Sequence, residues 1–158
     1  MNHVVGIAEM LVSDQPDDVL ITYSLGSCLG VAAMDVQAGV GGLIHCQLPM
    51  SSLDPERAKK QPAMFVDSGI PALFEEMFRR GAAKGRLQVR VAGGAQILDD
   101  KGLFKIGQRN HTVLRKLLWK NEILIKAEDV GGSIARTLTL DMASGAVTVR
   151  SNGDVTVL

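Results

Sequence analysis

Residues 40–49 read VGGLIHCQLP, and residues 25–30 read LGSCLG. In an extended chain neighbouring side chains point to opposite faces. Along the first stretch Val40, Gly42, Ile44, Cys46 and Leu48 form an apolar face. Gly41, Leu43, His45 and Gln47 form a more polar one. Cys46 therefore belongs with a core, as a small buried hydrophobe, and His45 with the opposite side. The same parity applied from residue 28 places Leu29, Val31 and Ala33 on one face, and Cys28, Gly30, Ala32 and Met34 on the other. Cys28 thus lies on a face kept small around the thiol, directly after a Gly26-Ser27 turn. These two cysteines are the only thiols of the chain.

Working outward, short apolar stretches at 4–12, 19–23, 28–34 and 40–48 read as strands, separated by the turn-rich pieces SDQPDD, SLGS and DVQAG. SSLDPERAKKQP, residues 51–62, reads as a polar loop. Ile70, Leu73, Phe74, Met77 and Phe78 then recur at i, i+3, i+4, i+7, i+8, the stripe of an amphipathic helix. Gly81 lies near its end. Residues 87–92 read as a strand stopped by Gly93-Gly94. A second helix is expected over about 110–120, with Asn110 as N-cap and Val113, Leu114, Leu117 and Leu118 on one side. Strands follow at 123–130, 135–141, 146–150 and 155–158, with MASG and SNGD as hairpin turns. No repeat, linker or low-complexity tract divides residues 1–158, so one α+β domain is expected, with two main helices covering a sheet face.

Composition narrows the function classes. The chain has 158 residues, 46% of them hydrophobic and 22% charged, with 17 basic residues against 17 acidic. A net charge of zero gives no general pull toward nucleic acid or an anionic membrane. Arg79, Arg80 and Lys84 follow an apolar helix face and read as a solvated helix end. The first residues lack the pattern of a signal peptide, and the longest uncharged run, 19–34, is too short and polar to span a bilayer. A cytoplasmic protein with reduced thiols is expected.

The chemistry concentrates on Cys28. A thiol needs a neighbouring base or cation to become a nucleophile near neutral pH, and His45 is the obvious partner. Thr22, by accepting or donating a hydrogen bond, is placed to fix the imidazole tautomer. Backbone N–H groups in the turn at Gly26 and Ser27 are candidates for an oxyanion hole. Spacing alone leaves this Cys–His pair beside a plainer reading in which both thiols are packing. A metal site of Cys28, His45, Cys46 and His111 is weaker still, because His45 and Cys46 point apart and no C-x-x-C or H-x-x-x-H occurs. Gly93-Gly94 and Gly131-Gly132 lack a phosphate-loop pattern and read as turns or close backbone contacts.

The pieces GIAEMLVS, ITYSLGSCLGV, GLIHCQLP, VRVAGGAQIL, IGQRN and IKAEDVGGSIART, in this order along nearly the whole chain, resemble the CheD family of bacterial chemoreceptor glutamine deamidases. The resemblance implies that Cys28 is the nucleophile, His45 its base and Thr22 the third member. It further implies hydrolysis of receptor glutamines to glutamate, with glutamyl methyl ester hydrolysis as a second reaction and no metal or organic cofactor. The implied partners are chemoreceptors (methyl-accepting chemotaxis proteins) and the CheC phosphatase. The alternative is a binding module that acts mainly through CheC. The implied fold is a layered α/β sandwich like that of cysteine hydrolases of the cytotoxic-necrotising-factor type. Gln47, where the family's histidine segment often carries methionine, and Ala135, in a glycine-prone place, depart from the pattern without touching the triad.

Overall fold

A computed structural model describes residues 1–96 and 105–158. Among these residues ten strands form two mixed sheets, accompanied by three α-helices. Sheet 1 contains β1 (Asn2–Val4), β3 (Val19–Leu25), β8 (Arg136–Asp141), β9 (Val147–Ser151) and β10 (Asp154–Val157), in the order β1-β3-β8-β9-β10. Sheet 2 contains β2 (Met10–Ser13), β4 (Leu29–Asp35), β5 (Val40–Cys46), β6 (Gln88–Gly93) and β7 (Ile125–Val130), in the order β2-β5-β4-β6-β7. The helices are α1 (Pro55–Lys60), α2 (Val66–Arg79) and α3 (Ile106–Lys120). None of the described helices is long and apolar enough to cross a membrane.

Sheet 2 is the middle layer. One apolar cluster joins its Leu29, Val31, Ile44 and Cys46 to Ile70, Leu73 and Met77 of α2 and Leu114 and Leu118 of α3. A second cluster joins its other face, through Ala32, Met34, Leu43 and Ala92, to Leu20, Leu25, Leu138, Leu140 and Val149 of sheet 1. Every residue of β4 and β5 is consequently buried. The parity read from residues 40–48 holds. The face carrying Leu43 and His45, more polar by sequence, is as buried as the other and forms the interior between the two sheets.

The expected strand over 4–12 is two strands in different sheets. Ala8 has a positive φ of 64°, and Gly6 N–H donates to Glu9 Oε1 at 2.7 Å. The chain turns there and passes from β1 in sheet 1 to β2 in sheet 2. The expected loop over 51–62 contains α1, whose Asp54 side chain accepts from Arg57 N–H and whose first residue is proline, a strong start signal. Phe78, assigned to the buried stripe of α2, is 39% exposed. Helix α3 begins four residues before Asn110, so that residue is not its cap. Gly107, a poor helix former, obscured the first turn, yet a Cβ at that position would meet the backbone of Gly94 and Ala95. The SNGD turn forms as expected, with Ser151 paired to Asp154 across Asn152-Gly153 and both central residues at positive φ. The last two residues of VRVAGGAQIL lie outside the described residues.

Gly93 packs its backbone tightly against Cys28. Its φ is +107°, and a Cβ there would overlap the Cys28 carbonyl, whereas Gly81 has φ +105° with open space around it. The pair separates backbone strain from crowding. Gly81→Ala should lower unfolding free energy by the strain alone, on the order of 1–3 kcal/mol. Gly93→Ala should cost clearly more in a denaturant titration, and equal losses would show that the close approach to Cys28 carries no energy.

Candidate functional site

Strands β3 and β5 meet across the sheet interface at Thr22 and His45, both fully buried. Thr22 Oγ1 lies 2.7 Å from His45 Nδ1 and 2.7 Å from the Val5 carbonyl. A threonine hydroxyl has a single hydrogen. Val5 O can only accept, so that hydrogen goes to Val5. The hydroxyl oxygen must then accept from His45, which places the ring proton on Nδ1 and leaves Nε2 as the unprotonated nitrogen. Among the described residues nothing hydrogen-bonds Nε2, although it is buried.

The same segment fixes the imidazole from the backbone side. Ala8 N–H donates to His45 O at 2.9 Å, His45 N–H donates to Glu9 O at 3.0 Å, and Val5 N–H donates to Ile21 O at 2.8 Å. The turn that replaces the expected strand is thus what delivers the Val5 carbonyl to Thr22.

Cys28 reaches this face through the β4–β5 ladder. Gly30 is the direct partner of His45, and Leu29 that of Cys46. The ladder ends at that pair, and Cys28, the next residue along, packs with the cluster between the sheets, on the face that His45 shares with Leu43. Cys28 is only partly buried, whereas Cys46 is wholly buried. The Cys28 carbonyl accepts from Gly94 N–H at 2.9 Å. The two glycines of this turn therefore do make a close backbone contact beside the thiol. Arg136 backs the same turn, donating from Nη1 to Gly131 O at 2.8 Å and to Gly93 O at 3.3 Å while Nη2 lies 3.2 Å from Asp129.

Of the expected oxyanion donors, Gly26 N–H is already given to Ser24 O at 3.0 Å. The Ser27 and Cys28 N–H groups have no backbone acceptor among the described residues. Sequence reasoning missed Asn110, which read as a helix cap. Its Nδ2 donates to Ser27 O at 3.0 Å and Gln47 O at 3.2 Å, bracketing the thiol and the imidazole. His111 is instead turned to the Glu128 carboxylate at 3.0 Å, away from any thiol. Among the described residues no group of three or more His, Cys, Asp or Glu is arranged to hold a metal ion.

Burial sets the protonation states. It depresses the His45 pKa to about 4. It raises the Cys28 thiol, an effect that Cys28's own backbone N–H partly offsets. Cys46 is pushed up far more, by burial first and then by Cys28 and Asp67. Near neutral pH the resting pair is thiol and neutral imidazole. Such a pair transfers its proton as the sulfur attacks rather than storing a thiolate beforehand.

The chain matches the family described as "CheD chemotactic sensory transduction" over residues 47–151, a span that begins two residues after His45. It is 49% identical over 150 residues to "Probable chemoreceptor glutamine deamidase CheD 1" of Syntrophus aciditrophicus (strain SB), covering 95% of this chain and 94% of the relative. It is 45% identical over 154 residues to "Probable chemoreceptor glutamine deamidase CheD 2" of Anaeromyxobacter dehalogenans (strain 2CP-C), covering 98% and 97%. It is also 45% identical over 150 residues to "Probable chemoreceptor glutamine deamidase CheD" of Solibacter usitatus (strain Ellin6076), covering 95% and 89%.

A neutral buried imidazole has a signature in acid. An unfolded histidine titrates near 6.5 and folded His45 at about 4, so between those values the unfolded chain binds a proton that the folded chain refuses. This contribution to stability is intact above about pH 6.5 and is lost as pH falls toward 4. The thermal midpoint of the wild type should fall more steeply across that window than that of His45→Gln. Parallel curves would contradict the neutral imidazole. In native protein Cys28 should alkylate before Cys46, at a rate climbing into the alkaline range, while Cys46 reacts only on unfolding. Equal labelling would contradict the placement of the two thiols.

Proposed function

The chain belongs to the CheD family, and on that footing we propose that it hydrolyses glutamine side chains of chemoreceptors to glutamate, with Cys28 as nucleophile, His45 as general base and Thr22 as the group that orients the base. The observation that carries this proposal is the Val5–Thr22–His45 relay, which leaves His45 Nε2 unprotonated and without a partner among the described residues, on a residue whose strand face is the one Cys28 also packs on. Residues 1–158 act as one unit in the cytoplasm, where the receptor helices that carry the target glutamines lie. The two-sheet arrangement, with His45 on β5 and Cys28 in the bend that leads into β4, supports kinship with the cytotoxic-necrotising-factor type of cysteine hydrolase.

Mechanism follows from the proton inventory. Cys28 Sγ attacks the carboxamide carbon as Nε2 accepts the thiol hydrogen. The carbonyl oxygen becomes an oxyanion, for which the Cys28 and Ser27 backbone N–H groups are the available donors. The proton on Nε2 passes to the nitrogen of the tetrahedral intermediate, the C–N bond breaks, and ammonia leaves a thioester. Water then attacks with Nε2 again taking a proton, and collapse returns the proton to sulfur and releases the glutamyl carboxyl. Throughout, Nδ1–H stays on Thr22, which stabilises the imidazolium that forms transiently. A glutamyl methyl ester would follow the same path with methanol leaving.

A CheC-type phosphatase is the second partner we propose, docking at the mouth around Cys28 and competing there with receptor. If the chain worked chiefly through that contact, it would bind CheC while leaving receptor glutamines intact.

Mass spectrometry of a chemoreceptor cytoplasmic fragment after incubation tests the proposal. Wild type should convert selected glutamines to glutamate, and Cys28→Ala should convert none while folding normally. Wild-type turnover by Cys28→Ala would rule out the nucleophile. His45→Ala should lose roughly 10²–10⁴-fold, the span of general-base assistance. Thr22→Val should lose less, because it disorders the base without removing it.

A further inference from the structure

The buried residues of α3 are Gly107, Asn110, Leu114 and Leu118. Asn110 is the one polar side chain on that inward face, and it is fully buried. Both groups facing its amide, Ser27 O and Gln47 O, are carbonyls that can only accept, so the NH₂ end must point at them. Its Oδ1 is then buried with no donor among the described residues. A buried acceptor left unpaired is costly; leucine would remove that acceptor but would also strip the Ser27 and Gln47 carbonyls of their donor. The question is what those two donated bonds accomplish.

The two carbonyls supply the answer. Gln47 follows the last residue of β5, and Ser27 precedes Cys28, the residue just before β4. The β4–β5 ladder ends at the Leu29–Cys46 pair. Asn110 closes the open end just beyond it. The Ser27 carbonyl shares one planar trans peptide with the Cys28 N–H, and in such a unit the two point in opposite directions. Helix α3 packs on the Leu29 face of sheet 2, while Cys28 packs on the opposite face, between the sheets. A Ser27 carbonyl drawn toward α3 therefore turns the Cys28 N–H toward its own sulfur and the imidazole. Accepting a hydrogen bond also polarises that peptide and strengthens its N–H as a donor.

We propose that Asn110 is a positioning residue for deamidation: through the Ser27 carbonyl it aims the Cys28 backbone N–H at the sulfur and at the oxyanion formed there. The close packing of Gly107 on the Gly94 turn is what brings α3 near enough for the amide to reach. The lowering effect of the Cys28 N–H on its own thiol agrees with that orientation. The role rests on Cys28 being the nucleophile, as proposed above.

The test compares wild type with Asn110→Leu, which keeps volume and removes both donors together with the orphan acceptor, and with Asn110→Ala should the leucine variant fail to fold. Three quantities are read: thermal midpoint, kcat and KM on the receptor fragment, and the pH profile of Cys28 alkylation by iodoacetamide. Expected are a folded protein with a midpoint at or below that of wild type, a fall in kcat of roughly 100-fold, the size of a misplacement by about 1 Å, an unchanged KM, and an alkylation profile shifted to higher pH. A wild-type kcat, or an alkylation profile that superimposes on that of wild type, overturns the proposal. So does failure of both variants to fold, which would make Asn110 a structural staple. The alkylation profile needs no turnover. An active Cys28→Ala would therefore sink the nucleophile, while an unmoved alkylation profile would sink only the role of Asn110.

Discussion

Thr22 has one hydroxyl hydrogen, and the Val5 carbonyl takes it. Everything the site can do follows from that allocation. With its hydrogen spent, the hydroxyl can only accept from His45, so the imidazole is held as the Nδ1–H tautomer with its lone pair on Nε2. The constraint reaches beyond chemistry, because Thr22 belongs to sheet 1 and His45 to sheet 2. The bond exists only when the two sheets are closed on each other over Leu25, Leu43 and Leu138. Packing and protonation are one event here, and the base cannot be assembled in a half-formed core.

Burial has opposite consequences for the two reacting groups, and both favour the uncharged pair. Neither a thiolate nor an imidazolium is stabilised at rest, because no described cation or carboxylate pairs with them. A neutral pair suits a small amide on a protein surface. Cys28 is not held as a standing thiolate, so as the proposed nucleophile it resists adventitious oxidation and alkylation. In the proposed mechanism the charge that develops in the transition state is met by fixed backbone N–H groups and by the Thr22 oxygen. The wholly buried Cys46, one residue from His45 on the opposite face, is excluded from the chemistry by strand alternation alone.

Much of this was legible in the sequence, for local reasons. Alternation around Cys28, His45 and Cys46 needs only the two-residue period of a strand, and the helical stripe from Ile70 to Met77 needs only its own spacing. The failures come from what a local pattern cannot contain. Residues 4–12 look continuous because their hydrophobicity is, yet Ala8 takes a left-handed conformation and the chain changes sheets. Nothing short of the pairing of β1 with β3 and of β2 with β5 shows that. Asn110 looked like a cap because capping is what asparagine does near a helix start. Its carbonyl partners lie 83 and 63 residues away along the chain, and no spacing rule connects them. Arg136 was unremarked for the same reason.

The tautomer of His45 is the point on which the account turns, and nitrogen NMR reads it directly. In protein labelled with ¹⁵N at histidine, a long-range ¹H–¹⁵N spectrum near neutral pH distinguishes the protonated ring nitrogen from the bare one. The account predicts a neutral His45 ring with Nδ1 protonated and Nε2 bare, unchanged in Cys28→Ala and lost from a single state in Thr22→Val. A ring protonated on Nε2, or an imidazolium at neutral pH, would leave no base facing Cys28 and would contradict it.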